Sequence, residues 1–251
     1  MVIGRHDSER RRLDIELVRR GLARTRTQAR EAIEAGKVRV DGGVAKKPGL
    51  LVHDASAIEA EAAHPWVSRG GLKLDHALRI FSIDPMGLHC LDVGSSTGGF
   101  TDVLLSRGAR RVVAVDVGTG QLHVKLKSDP RVISLESTDA RDLDAAMVLE
   151  PPALIVCDAS FISLSKLLSR PLSLAATPAT LVALFKPQFE VGPTNVGKGG
   201  IVSDPAAVAT AKGQLERWLE GAGWPVNKWT DSPIPGGDGN REALFTARNY
   251  R

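Results

Sequence analysis

From residue 89 onward the chain repeats one pattern, in which a short apolar run gives way to a helical stretch and then to another apolar run. The runs are "HCLDVG", "RVVAVDVG", "RVISLES", "ALIVCDAS" and "TLVALFKPQF", and "EALFTARNY" supplies a last one. Apolar strands alternating with helical periodicity imply βαβ units and a mostly parallel sheet, an α/β fold. Open sheets of this kind hold ligands beyond the C-terminal ends of their strands. The residues that end these runs are therefore the first candidates for function.

The first 63 residues read differently. In "RLDIELVRRGLARTRTQAREAIEAGKVRVDGG", Leu13, Leu17 and Val18 fall at helical spacing, as do Ala29 and Ile33. Gly21 and Gly36 stand where helices end, Thr25 or Thr27 can cap the second helix, and "DGG" turns the chain after a strand. "GLLVHDASAIEAEA" adds one or two more strands. The sequence predicts a small α+β domain over residues 1–63, a joint "HPWV" at 64–67 with Trp66 packed between domains, and a large domain over 68–251. The small domain resembles the RNA-binding fold named after a ribosomal small-subunit protein. That resemblance rests on the two helices, the "RRGLARTRTQA" turn and the "GKVRVDG" hairpin.

Charge agrees with a polyanionic partner. Between Arg5 and Lys47 thirteen Lys or Arg face seven Asp or Glu, an excess of six where the whole chain has a net charge of +4. Arg10, Arg11, Arg12, Arg19, Arg20, Arg24, Arg26 and Arg30 crowd the helical portion and are candidates to line one phosphate-binding surface. The two cysteines, Cys90 and Cys157, each sit in an apolar run and read as buried thiols of a cytoplasmic protein. No run approaches a membrane span, and the six histidines lack metal-ligand spacing, so neither membrane nor metal is expected.

The run "CLDVGSSTGGFT" ends a strand in a glycine-rich turn. It follows the Walker A template until Phe100 stands in place of the lysine, and its glycines, Gly94, Gly98 and Gly99, miss the G-x-G-x-x-G dinucleotide spacing. A phosphate ligand is disfavoured. The next strand ends in Asp116, placed to accept hydrogen bonds from ribose hydroxyls. The pattern resembles the S-adenosylmethionine (SAM) loop of Rossmann-like methyltransferases. That resemblance implies that Asp92, Gly94, Ser96, Thr97, Gly98, Gly99 and Phe100 surround the methionine portion, Asp116 the ribose and Asp139 the adenine amino group.

Two charges end strands that otherwise read as buried: Asp158 after "ALIVC" and Lys186 after "TLVALF". "SRGGLKL" puts Lys73 at the opening of a helix, where the dipole disfavours a cation. With Glu242 these residues resemble the Lys-Asp-Lys-Glu tetrad of the FtsJ-like ribose 2′-O-methyltransferases. "WVSRGGLKL", "LDVGSSTGGFTDVLL", "VDVGTGQL", "DASFISL", "FKPQFEVG", "GGIVSDP" and "GNREALF", behind the basic first domain, resemble the TlyA family over nearly the whole chain. Ser95-Ser96 stands where FtsJ-like loops commonly have Ala-Pro.

This resemblance implies a Rossmann-like methyltransferase whose final strand is antiparallel, behind the small RNA-binding domain. It also implies SAM-dependent 2′-O-methylation of cytidine in ribosomal RNA of either or both subunits, with ribosomal RNA or subunits as partner. Lys186 is then a base or hydroxyl-orienting group, Asp158 its orienter, and Lys73 and Glu242 hold ribose and partner in line. An RNA-binding assembly factor without catalysis, or a membrane-active hemolysin, are the competing readings.

Overall fold

The computed structural model describes residues 10–250. The contacts divide the chain into two compact units on either side of the Pro65–Trp66 bond.

The small unit runs β1 (Arg11–Arg12), α1 (Leu13–Arg19), α2 (Arg26–Glu34), β2 (Val38–Val40), β3 (Gly43–Val44), β4 (Leu51–Val52) and β5 (Ile58–Ala60). Thr25, rather than Thr27, caps α2 by accepting from the Gln28 amide at 3.2 Å. β2 and β3 form a two-residue hairpin through Asp41 and Gly42, both at positive φ, as such a turn requires. Leu13, Leu17, Ala29, Ile33, Val38 and Val52 close a small core. β1, a two-residue strand paired with β4, was absent from the sequence expectation because "RR" carries no strand pattern.

The large unit runs α3 (Gly70–Ile80), β6 (His89–Val93), α4 (Gly99–Ser106), β7 (Arg111–Val115), α5 (Val124–Lys127), β8 (Val132–Leu135), α6 (Ala145–Val148), β9 (Leu154–Cys157), α7 (Leu164–Ser173), β10 (Ala179–Phe185), α8 (Pro187–Glu190), α9 (Pro205–Gly221), β11 (Val226–Asp231) and β12 (Ala243–Asn249). Seven strands form one sheet in the order β11-β12-β10-β9-β6-β7-β8. Neighbours from β10 to β8 are parallel, and β12 is antiparallel to both β10 and β11. Alternate strand residues feed two cores. Leu91, Val93, Ile155 and Leu181 meet Leu164, Leu168, Leu215 and Leu219 of α7 and α9 on one face. Cys90, Val112 and Val156 meet Leu74, Leu78, Val103 and Leu104 of α3 and α4 on the other. Burial on both faces is what made the strands read as continuous apolar runs.

β11 was not foreseen. It is a half-exposed outer strand with a register shift between Val226 and Lys228, and "VNKWTD" shows neither alternation nor an apolar run. Trp66 packs against the large unit's own core, where a Cβ on Gly71 would fall 2.4 Å from the Trp66 ring. Cys90 and Cys157 are buried free thiols. Among the described residues no helix is long and apolar enough to cross a membrane.

Candidate active site

Strand order reverses between β6 and β9, whose ends lie side by side where Val93 pairs with Cys157. One connection leads away to β7 and the other to β10, which leaves a crevice above the two ends. Gly94 follows β6, Asp116 follows β7, Asp158 follows β9 and Lys186 follows β10. Glu242 reaches the same edge by a different route. It precedes β12, and because β12 runs antiparallel its first residue, Ala243, pairs with Phe185, the last of β10.

The crevice holds a cleft of about 370 Å³ lined by Gly94, Ser96, Asp116, Gln121, Thr138 and Phe161, among others. A second hollow of about 180 Å³ is lined by Ser68, Gly70, Ser95, Thr97, Gly99, Phe100 and Lys186, and shares Gly94, Ser96, Asp158 and Ser160 with the first. Close backbone approach explains two of the glycines. A Cβ on Gly94 would lie 2.8 Å from the Ala159 backbone, and one on Gly98 would lie 2.2 Å from Leu126, with both residues at positive φ. Asp116 is fixed by two backbone amides, Ser96 N at 2.8 Å on one oxygen and Gly118 N at 2.7 Å on the other.

The four residues expected to form a tetrad make two ion pairs. Lys73 Nζ donates to Glu242 Oε2 at 2.5 Å, with both side chains at most one-tenth exposed. Lys186 Nζ stands 2.7 Å from Asp158 Oδ1 and donates to Ser160 Oγ at 2.8 Å and to the Asp158 carbonyl at 3.2 Å. Burial raises the Glu242 carboxyl above its ordinary range, Lys73 opposes the rise, and the charges of Asp158 and Lys186 are also felt there. Two cations and two acids are thus desolvated together at the end of the sheet. Lys186 is 9% exposed, and Glu242 leads into a strand, β12, that lies inside the sheet between β10 and β11.

A model of the FtsJ-like methyltransferase family matches residues 66–249. The 16S/23S rRNA (cytidine-2′-O)-methyltransferase TlyA of Mycobacterium tuberculosis is 49% identical over 96% of this chain and 91% of its own. The chain belongs to the TlyA family of FtsJ-like methyltransferases. An S4 domain model matches residues 11–57. The 23S rRNA (cytidine-2′-O)-methyltransferase TlyA of Campylobacter jejuni is 40% identical over 72% of this chain and 70% of its own. The solved structure of a candidate hemolysin from Streptococcus thermophilus superposes with a TM-score of 0.76, 36% identity and coverage of 96% of this chain and 88% of that one.

For a TlyA-family site, Gly94, Ser96, Thr97, Gly99, Phe100, Asp116, Asp158 and Lys186 line one or both hollows, whereas Lys73, Glu242, Asp92, Gly98 and Asp139 line neither. Asp92 is fully buried and lines neither hollow; its Oδ2 accepts from Thr101 Oγ1 at 2.6 Å, which pins the start of α4 under the glycine turn. Burial pushes its carboxyl up to about 7, with Asp158 and Asp116 adding to the rise and the Thr101 bond opposing it. Gly98 shapes the turn without lining it. Asp139 is clasped by Arg141, which holds its carboxyl below the usual range, while its neighbours Thr138 and Ala140 line the cleft. Gln121, Ser160 and Phe161 were missed by sequence reasoning. Phe161 carried a detectable signal, an aromatic residue three positions after a strand-end acid, and is 90% exposed at φ +68°.

In the small unit the arginines do not form one open surface. Asp14 and Glu16, on α1, are buried, and guanidinium groups close over them: Arg12 and Arg26 on Asp14, Arg19 and Arg20 on Glu16. Arg19 chiefly, then Arg20, hold the Glu16 carboxyl down at about 2 against the opposing effect of its burial. Arg20 also donates to the carbonyls of His53, Asp54 and Ser56, and so works as scaffold. Arg10 bonds His53, Arg11 bonds Asp54, and Arg30 lies 3.9 Å from Glu34. Arg24 is exposed in the turn between the helices.

Proposed function

We propose that the chain transfers a methyl group from SAM to the 2′-hydroxyl of cytidine in ribosomal RNA. The observation that carries this reading is the Lys186–Asp158 pair lining the hollow beside a cleft suited to a nucleoside, with the buried Lys73–Glu242 pair close enough to feel its charges. The cleft suits SAM on its own chemistry. It offers a carboxylate, Asp116, for the ribose hydroxyls, an aromatic and apolar wall in Val117, Phe161, Ile162 and Leu167, and no Walker lysine. Asp116 would hold the ribose, Thr138 and Ala140 the base, and the Gly94–Phe100 turn the amino-acid end.

SAM supplies an activated methyl on a sulfonium that leaves as a neutral thioether. The protein must then place a ribose oxygen in line with that carbon and accept its proton. Lys186 donates to the incoming oxygen, Asp158 fixes the amine, and the hydroxyl proton passes to the Asp158–Lys186 pair as the O–C bond forms. Lys73 and Glu242 hold the far side of the acceptor site. Positioning of this kind accounts for about 7 to 11 kcal/mol in well-oriented systems. The relative from Mycobacterium is named for both ribosomal RNAs and that from Campylobacter for 23S alone; the greater likeness to the first favours both as targets. The exposed arginine heads of the small unit meet RNA phosphates, and the two free buried thiols suit a reducing cytoplasm.

The test is methyl transfer from labelled SAM to 16S and 23S RNA by purified protein. Lys186→Ala and Asp158→Ala are each expected to lower the rate about 10²- to 10⁴-fold, the range of positioned proton-transfer groups. Wild-type transfer by both variants would remove the tetrad from the chemistry. No transfer by the unaltered chain to any ribosomal RNA or subunit would leave an RNA-binding factor in its place.

A further inference from the structure

We propose that Ser160 is a fifth member of the acceptor site, whose hydroxyl orients the Lys186 amine toward the ribose 2′-hydroxyl. The proposal rests on the methyltransferase reading above. An ammonium has three N–H donors, and Lys186 Nζ spends two of them, on Ser160 Oγ at 2.8 Å and on the Asp158 carbonyl at 3.2 Å. Asp158 Oδ1 stands 2.7 Å away as an ion-pair contact without a hydrogen bond, so the third donor is left for a substrate oxygen and the two bonds set its direction. The carbonyl belongs to a backbone fixed by the Asp158 N–H bond to Val93 O at 3.1 Å. The serine hydroxyl is the one side-chain acceptor that completes this orientation.

Three further observations place Ser160 where it can set that direction. It lines both hollows, as do Gly94, Ser96 and Asp158, and so stands where cofactor and acceptor spaces meet. It is exposed, whereas Lys186 beneath it is buried, so an entering ribose reaches Ser160 first. The backbone around it is held under constraint. Ala159 is pressed against Gly94 so closely that a Cβ there would sit 2.8 Å away, and Phe161 adopts φ +68°, a region that a bulky residue occupies at a cost. That constraint holds the Ser160 backbone in place, and its hydroxyl accepts from Lys186 Nζ at 2.8 Å.

Ser160 acts through Lys186, so it is a positioning residue, and the readout must separate that role from a merely structural one. In steady-state methylation of ribosomal RNA, Ser160→Ala is expected to lower kcat about fivefold to tenfold, the scale of one hydrogen bond to a charged group. The Kd for SAM, measured by calorimetry on the same variant, should stay within about twofold of wild type, which also shows that the protein is folded. Ser160→Thr, which keeps the hydroxyl, should restore most of kcat. Wild-type kcat for Ser160→Ala, an equal loss for Ser160→Thr, or a loss confined to SAM affinity would each overturn the proposal. Because wild-type turnover is measured alongside, these outcomes are distinct from a failure of the methyltransferase reading.

Discussion

Both units bury carboxylates against cations, and they do so to opposite ends. In the small unit the acids are inside and the cations outside: Asp14 and Glu16 are at most 1% exposed, while Arg12, Arg19 and Arg26 remain about half exposed. In the large unit both partners go under, Lys73 with Glu242 and Lys186 with Asp158, none of the four side chains above 20% exposure. A half-exposed guanidinium keeps hydration and spare donors for a phosphate, with its fork aimed by the buried acid. A desolvated ammonium loses its water and is restricted to the partners built around it. One unit presents charge and the other confines it.

The sharpest way to break this comparison is to delete one acid from each unit. Glu242→Ala strands the Lys73 ammonium in the interior and should destabilise the large unit by about 3–5 kcal/mol, the cost of an unpaired buried charge. Glu16→Ala leaves Arg19 and Arg20 free to turn toward water, so it strands no buried cation and should cost less than Glu242→Ala. Urea unfolding, with hydrogen exchange to assign each transition to its unit, measures both. Equal costs would mean that the two sets of pairs are the same kind of contact.

The pH dependence of stability sharpens it further, because Glu16 in the small unit and Asp92 in the large one are shifted in opposite directions. Glu16 is held down at about 2 from its ordinary 4.5, so its contribution is present above about 4.5 and is lost as pH falls toward 2. Asp92 is pushed up to about 7 from 3.8, so its native site favours the proton. Its contribution is present below about 4 and is lost as pH rises through 7. Glu16→Gln should therefore flatten the acid limb of the small unit's stability curve. Asp92→Asn, which keeps an acceptor for the Thr101 hydroxyl, should flatten the decline of the large unit between pH 4 and 8. Stability curves that the two substitutions leave unchanged would contradict both assignments.

The sequence was legible where one residue type has one physical use. Continuous apolar runs marked the parallel strands, and a glycine turn without a lysine disfavoured a phosphate ligand. Charges ending buried strands exposed Asp158 and Lys186. What escaped was whatever depends on a neighbour distant in the chain. Glu242 and the antiparallel last strand were reached only through the family resemblance, because the pairing of β12 with β10 and β11 is not carried by "GNREALF" itself. Asp92 resembled a cofactor ligand, but its carboxyl points to Thr101, nine residues on, on the next helix. Asp139 and the arginine cluster have partners that the sequence did not show, for a shared reason. Counting charges shows their number, and only the fold shows that Arg141 occupies Asp139 or that Asp14 and Glu16 lie beneath the guanidinium groups.

The finest test separates the arginines of the small unit from one another. Arg26 is 59% exposed and contacts Asp14, so its remaining donors face solvent. Arg20 is 22% exposed, and its nitrogens bond Glu16 and three backbone carbonyls, so it has no face left for a phosphate. Neutralising a residue that displaces one counterion from RNA lowers the slope of log affinity against log salt by about 0.7 to 0.9. Arg26→Gln should flatten the slope for ribosomal RNA by that amount while leaving stability near wild type. Arg20→Gln should leave the slope unchanged and lower the stability of the small unit, since it removes the tie between α1 and the 53–56 turn. If instead Arg20→Gln flattened the slope and Arg26→Gln did not, exposure and hydrogen-bond occupancy would not be what sorts these cations into presenting and scaffolding roles, and the contrast between the two units would reduce to a difference in depth alone.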